Sequence, residues 1–396
     1  MPSGKLSRWT SVEAPSRPLF ARDLAEHQDA LDRCVAKLNA MRGKIGLRNP
    51  KHGRPDKTWN YCGNFDWVVG FYAGQLWLAF QLTGDAAFLN GARARREVFR
   101  RILDTRAAQD HDVGFQISLS CVAEWRMTGD AEARVLGIRG AESLVDRFNP
   151  TANFIQAWNP GAYGMAPEFA NGRMIADSMM NLAILHWAYR ETGRLDFREI
   201  ADAHAETVLN YIVRPDGTSN HCFCFDPVKG TPIGGHTYQG YSPDSWWSRG
   251  HSWLVHGFAQ NHLYTGDVRW LNAARNVAGK VEEAMNGKEV MPWDFRAPAD
   301  MPYIDSSASA ITAAGLYLMA NSLDGLEAER WRGFGDRLMA GLLKHCDLTR
   351  DDKAMGMLDH GASHVPDGLS DTMLPYGDYF FMEALMRSLG HDSFFW

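Results

Sequence analysis

The sequence predicts an all-α protein, an (α/α)6 barrel in which six helical hairpins close into a double ring. Three observations carry that prediction. A Thr-Gly-Asp triplet recurs at Thr83-Gly84-Asp85, Thr128-Gly129-Asp130 and Thr265-Gly266-Asp267, with degenerate copies at Thr192-Gly193-Arg194, Leu323-Asp324-Gly325 and Leu389-Gly390. Glycine there can adopt the left-handed conformation that ends one helix, and an aspartate after it can cap the next. The six glycines are 45, 64, 73, 59 and 65 residues apart, one supersecondary unit per interval. Each copy but the last lies between two long helical patterns of different character.

The segment before each turn is apolar nearly all round: Trp67 to Leu82, Gly114 to Met127, Met174 to Glu191, Ser245 to Tyr264, Ser306 to Ser322 and Asp378 to Ser388. Small residues such as Ala73, Gly74, Ala183, Ala310, Ala313 and Ala314 let these helices approach closely. The segments after the turns carry charge on one face, as in Ala92-Arg93-Ala94-Arg95-Arg96-Glu97. Helices apolar all round belong inside and amphipathic ones outside. The tight turns therefore share one end of the ring, and the long loops collect at the other.

The chain has 396 residues, 45% hydrophobic and 22% charged, enough to bury a large core. Evenly spread hairpins and the lack of a Pro/Ser-rich linker favour one catalytic domain over 1–396, with 1–20 an N-terminal extension. That extension is polar, contains Pro2, Pro15 and Pro18, and lacks an apolar signal core, so a cytoplasmic location is expected. A formal net charge of −6 with acids and bases interleaved argues against nucleic-acid binding. No stretch approaches 18 uninterrupted apolar residues, which argues against a membrane span. Cys34 and Cys121 read as small buried hydrophobes. His221-Cys222-Phe223-Cys224 has no second Cys/His cluster at ligand spacing, so no metal is expected.

Each inner helix is entered from a long loop, and the entries carry acids: Asp66, Asp112, Asp177, Asp244, Asp305 and Asp378. For most of them helix capping is the expected role. Asp112 and Asp177 differ in their surroundings. The pair His111-Asp112 stands beside Gly114 at the mouth of a helix rich in Phe, Ile, Leu and Val. Asp177 is enclosed by Met174, Ile175, Ala176, Met179 and Met180, a setting that raises a carboxyl pKa by desolvation and suits general-acid work near neutral pH. Two carboxylates facing one mouth are the usual equipment for cleaving a glycosidic bond.

Fourteen tryptophans supply a second clue. Trp67, Trp158, Trp246, Trp247 and Trp253 lie in or beside the mouth loops, where aromatic faces can carry the C–H surface of a sugar. Trp77, Trp125 and Trp187 read as core. A third constellation runs from Tyr238 to Trp253 and places Arg249 about one turn inside an apolar helix. A buried cation needs an anion. Either a protein acid such as Asp244 supplies it, or a substrate carboxylate does, which arginine grips through two parallel hydrogen bonds. His221 is either an exposed loop histidine or a mouth residue orienting water or a carboxylate.

Taken together, these motifs resemble the unsaturated glucuronyl hydrolases, glycoside hydrolase family 88. The resemblance rests on His111-Asp112-x-Gly114-Phe115, Asp177-Ser178-Met179-Met180-Asn181-Leu182, Gln239-Gly240-Tyr241 through Trp247-Ser248-Arg249-Gly250, Asp305-Ser306-Ser307-Ala308-Ser309-Ala310, and the closing Tyr376 to Leu385. It extends from about Asp66 to the C-terminus. It implies an enzyme that removes a 4,5-unsaturated uronic acid from the non-reducing end of lyase-generated oligosaccharides by hydrating the C4=C5 enol ether. Asp177 would protonate C4 and activate the water that adds at C5, while Asp112 would bind ring hydroxyls beside His111. His221 and Gln239 would lie near the reacting water and ring. Arg249 matches a substrate-side arginine, and Trp158, Trp247 and Trp253 an aromatic wall, with Trp67 at the mouth. The partner implied is an unsaturated uronic-acid-terminated oligosaccharide, bound by a monomer or homodimer without metal or organic cofactor.

Some members of that family take sulfated fragments through a serine- and lysine-bearing loop near the C-terminus. Here no Lys or Arg occurs between Lys353 and Arg387, and the loop offers only Ser363 and His364, so unsulfated substrates are expected. Three other readings stay open: an unsaturated rhamnogalacturonyl hydrolase, an inverting glycosidase, and a non-catalytic carbohydrate-binding toroid.

Overall fold

The computed structural model describes residue 22, residues 24–162 and residues 166–396; the N-terminal extension expected over 1–20 lies outside the described residues. The chain opens with α1 (Ala25–Ile45) and a hairpin of β1 (Asn49–Gly53) and β2 (Trp59–Cys62). Inner helix α2 (Val69–Thr83) is followed by an outer pair, α3 (Ala86–Arg93) and α4 (Arg96–Asp104). The second inner helix is broken into α5 (Val113–Ile117), one wide π-turn (Ser118–Val122) and α6 (Ala123–Thr128), with α7 (Ala131–Val145) outside it. Strands β3 (Phe148–Asn149) and β4 (Phe154–Ile155), short helix α8 (Pro167–Ala170) and strand β5 (Arg173–Ile175) lead to the hairpin α9 (Ser178–Thr192) and α10 (Leu195–Tyr211). Strands β6 (Cys222–Phe225) and β7 (Pro232–His236) precede α11 (Ser248–Thr265) and α12 (Val268–Met285). The last helices are α13 (Ser306–Ala320), α14 (Gly325–His345) and α15 (Pro375–Ser388).

The repeated triplet makes a complete turn. At Thr83-Gly84-Asp85 the threonine hydroxyl donates to the Ala79 carbonyl and accepts from the Asp85 N–H. Gly84 takes φ 69° and returns its N–H to Phe80, and the Asp85 carboxylate accepts from Ala87 N. Gly129, Gly193 and Gly266 repeat the left-handed cap at φ 70°, 72° and 70°. The two degenerate copies near the C-terminus depart from this scheme. Helix α13 ends without a glycine cap, and Gly325, φ 60°, opens the outer helix instead. After Gly390 the chain runs across the turn end, burying Phe394, Phe395 and Trp396.

The outer partner of α15 is therefore α1, from the other end of the chain. His27 Nδ1 lies 2.8 Å from Ser388 Oγ, and Arg22 pairs with Asp336 on α14. One continuous hydrophobic cluster runs from Ala30 to Trp396, with the inner helices buried along most of their length and the outer helices adding one apolar face each. The three-stranded antiparallel sheet β5-β6-β7 sits at the loop end, with Ile175 opposite Cys222 and Cys222 opposite His236. This pairing sets the start of α9 beside the segment that follows α10. No helix among the described residues is long and apolar enough to cross a membrane.

Candidate active site

The acids at the inner-helix entries divide into two groups. Asp66 accepts from Val68 N and pairs with Lys51. Asp305 caps α13 through Ser307 N, and Asp378, inside the first turn of α15, accepts from Met357 N and Leu358 N. Asp244 is not at a helix start, because α11 begins at Ser248. Asp112 and Asp177 occupy the cap positions of α5 and α9, yet neither side chain caps its helix.

Both carboxyls are buried, at 7% and 8% exposure, and Asp177 Oδ2 has no hydrogen-bond partner. Burial pushes the Asp177 carboxyl up to about 7 against the opposing pull of the Arg249 charge. The Trp253 indole N–H favours the ionised form as well, although it closes no hydrogen bond of normal geometry. Asp112 is also raised well above the ordinary carboxylate range, by burial first and then by Asp110 and Asp177. A carboxylic acid that stays protonated near neutral pH, with a free oxygen, is equipped to donate a proton.

Strand pairing brings His221 to Asp177, since Ala176 N donates to His221 O. Of the two readings open for His221, the exposed loop histidine does not hold: the residue is 3% exposed. Its Nδ1 accepts from the backbone N–H groups of Tyr238 and Gln239 at 3.1 and 3.2 Å, which leaves the proton on Nε2. That Nε2 is buried and unpartnered, and burial together with Arg249 keeps the ring neutral. The ring lies 4.3 Å from Trp247 and 6.4 Å from Trp158. His111, fully buried, places Nε2 3.4 Å from Asp112 Oδ1.

Arg249 is corrected in its partner. Asp244 does not reach it; Asp305 does, at 2.8 Å, from 56 residues away. The same guanidinium donates to the Ala362 and Ser363 carbonyls and lies over the Trp247 and Tyr376 rings. The Gln239 amide likewise donates to Ser363 O at 3.1 Å, bracing the loop Gly361–His364. Trp67 stands 4.9 Å from Tyr376 and 6.1 Å from Phe115, and Phe115 lies 5.1 Å from Trp253. Trp253 is fully buried and offers the site only its N–H. Trp246 stacks on Phe295, away from this chain of rings.

All ten predicted site residues thus fall in one network of contacts. Within it, unpartnered polar atoms of Asp177, His111, His221, Asn181 and Trp253 are buried together. Buried polar atoms are normally satisfied, so a cluster of unsatisfied ones marks where a polar ligand belongs. A cleft of about 550 Å³ also passes Trp158, but Arg147, Asn159 and Gln156 along it are spent on backbone carbonyls. The sequence reading gave no role to Asn181 or Tyr376. For Asn181 the signal was present: it stands four residues after Asp177, on the same helical face.

No family model matches the sequence. Curated relatives do. An unsaturated glucuronyl hydrolase of Bacillus sp. strain GL1 is 39% identical over 350 residues, covering 87% of this chain and 92% of that protein. An unsaturated chondroitin disaccharide hydrolase of Streptococcus pneumoniae is 30% identical over 396 residues, covering 97% and 98%. Among solved structures, the unsaturated glucuronyl hydrolase of Streptococcus agalactiae superposes with a TM-score of 0.88 at 28% identity, covering 98% of each chain. A variant of that enzyme holds dGlcA-GalNAc6S, at a TM-score of 0.81 and 25% identity over 98% of both chains. With sequence, architecture and length in agreement, the chain belongs to the unsaturated glucuronyl hydrolases.

Proposed function

We propose that this glycosidase removes a 4,5-unsaturated uronic acid from the non-reducing end of an oligosaccharide by hydrating its C4=C5 enol ether. The observation that carries the reading is the buried Asp177 carboxyl, pushed up to about 7 and with Oδ2 unpartnered. Protonated Asp177 gives its proton to C4. The resulting carboxylate takes a proton from the water that adds at C5, so the carboxylic acid is regenerated. The C5 hemiketal then rearranges and expels the remaining sugar. No step draws on a metal or organic cofactor.

Asp112 and His111 bind ring hydroxyls, His221 Nε2–H orients the water or the uronate, and Trp67, Trp158 and Trp247 wall the ring. Arg249 acts from behind: its charge tempers the pKa of Asp177 and its hydrogen bonds hold the Gly361–His364 loop. The chain works as one catalytic domain over 1–396, with 1–20 an N-terminal extension, as a monomer or homodimer. All six cysteines are free thiols, which suits a reducing, cytoplasmic setting.

The loop at the mouth favours unsulfated substrates. His364 is held by Asp367 and the Tyr238 carbonyl, and Lys57 by Asp359, so neither offers a fixed cation to a sulfate. The test follows the ultraviolet absorbance of unsaturated disaccharides mixed with the protein. Loss of the conjugated band is expected, faster for unsulfated than for sulfated substrate. Persistence of the band with retained binding would reduce the protein to a lectin-like role.

A further inference from the structure

Asn181 stands one helical turn beyond Asp177 on α9 and is 1% exposed. Its Nδ2 lies 3.3 Å from His111 Nδ1. An amide nitrogen only donates, so His111 Nδ1 accepts and the imidazole proton sits on Nε2, the atom 3.4 Å from Asp112 Oδ1. The same amide lies near enough to Asp112 to favour its ionised form against the burial that raises it. On the other side, Asn181 Oδ1 lies against Gly114. A Cβ built at Gly114 would stand 2.4 Å from Asn181 Oδ1 and 2.5 Å from Asn181 Cβ. Gly114 has no positive φ, so close approach, not backbone conformation, is what this position demands. Two segments that the sequence separates, His111 to Phe115 and Asp177 to Leu182, therefore lock together through one amide.

We propose that Asn181 is a positioning residue for the hydration reaction: it holds His111 in the tautomer that presents Nε2–H to Asp112 and, seated on Gly114, fixes the Asp112 carboxyl. This rests on the reading in the preceding section. The charged and titratable groups facing Asp112 and His111 are Asp66 at the start of α2, Asp110, Asp177 at the start of α9, His204 of α10, His221 and Arg147. None of these supplies the donor that Asn181 supplies to His111 Nδ1.

The experiment measures kcat, KM and the pH profile of kcat/KM for the wild type, Asn181→Ala and the near-isosteric Asn181→Leu, with thermal melting of each. Both substitutions remove the donor, so kcat is expected to fall about 100-fold while KM changes little. Loss of the donor that favours ionised Asp112 is expected to move the pH profile to higher pH in both variants. Melting temperatures within a few degrees of wild type would show that the effect is not unfolding. Wild-type kcat with an unmoved pH profile in either folded variant overturns the proposal. Failure of both variants to fold overturns it too, by making the residue structural. If the wild type itself leaves the enol band intact, the function has failed, and the Asn181 assignment falls with it for that separate reason.

Discussion

At the scale of single residues, Asp177 and Asp378 form an instructive pair. Burial pushes both carboxyls up to about 7. Asp378 accepts two backbone N–H groups, from Met357 and Leu358, whereas Asp177 keeps Oδ2 free. A perturbed pKa alone does not mark the catalytic group; a carboxyl oxygen buried away from solvent without a partner does. Asp177→Asn is expected to lower kcat by about 10²- to 10⁴-fold with the fold intact, measured by loss of the enol absorbance. Wild-type kcat/KM should decline as pH rises through 7, because the proton donor is then lost; a flat profile to pH 9 would remove Asp177 from that role. Asp378 gives a stability prediction. Its folded pKa lies above the unfolded value near 3.9, so the stability it contributes is full below about pH 4 and is lost as pH rises towards 7. Asp378→Asn keeps an oxygen for the two N–H donors and removes the ionisation. The melting temperature of the variant relative to wild type should therefore be higher at pH 8 than at pH 4, with activity retained.

At the scale of elements, the hairpin turns were legible because each is written within a few residues: threonine, glycine and aspartate satisfy one another locally. The six inner helices were legible for the same kind of reason, since an all-round apolar helix has few places to go. The partner of Arg249 was not legible. Asp305 reads as a local cap, and it is one, through Ser307 N; its second oxygen reaches across to the neighbouring inner helix, a contact no periodicity encodes. The burial of His221 was hidden likewise, because it depends on β5 pairing with β6 across the whole α9–α10 hairpin. The Arg249–Asp305 pair ties α11, α13 and the mouth loop into one unit. Asp305→Asn leaves the guanidinium buried and uncompensated, which typically costs about 3–5 kcal/mol. The melting temperature should drop by several degrees. With Asp305 neutral, the Arg249 charge is less compensated and favours ionised Asp177 more strongly, so the pH limb near 7 should shift to lower pH. A variant that melts like wild type would mean that the pair contributes little to stability.

At the scale of the whole molecule, closure of the ring depends on parts of the chain that the repeat pattern did not assign. The sixth inner helix has no outer helix after it, and α1 fills the place from the other end of the sequence. The segment after Gly390 seals the turn end instead. Trp396 is 3% exposed, stacks on Phe380 at 5.7 Å and 8°, and meets Phe115 edge-on at 5.8 Å. Its indole N–H donates to Glu383 Oε2 at 2.7 Å, while Glu383 Oε1 takes bonds from Arg387 and His256. These neighbours hold the Glu383 carboxyl down at about 2, fully ionised, although it is completely buried. Trp396 therefore plugs an apolar floor and satisfies part of a buried charge at once. Trp396→Ala removes both, and truncation of a buried tryptophan costs about 3–5 kcal/mol. Trp396→Phe restores the ring without the N–H and separates the two contributions: its loss should be smaller, on the order of 1–3 kcal/mol for one unmet bond to a charged group. Because Phe115 rests on Trp396 and lies 5.1 Å from Trp253 beneath Asp177, the alanine variant should also lose turnover at temperatures where it is still folded. Chemical denaturation and turnover measured on both variants decide the matter. If Trp396→Ala unfolds earlier but turns over substrate like wild type at 25 °C, the floor stabilises the ring without shaping the site above it.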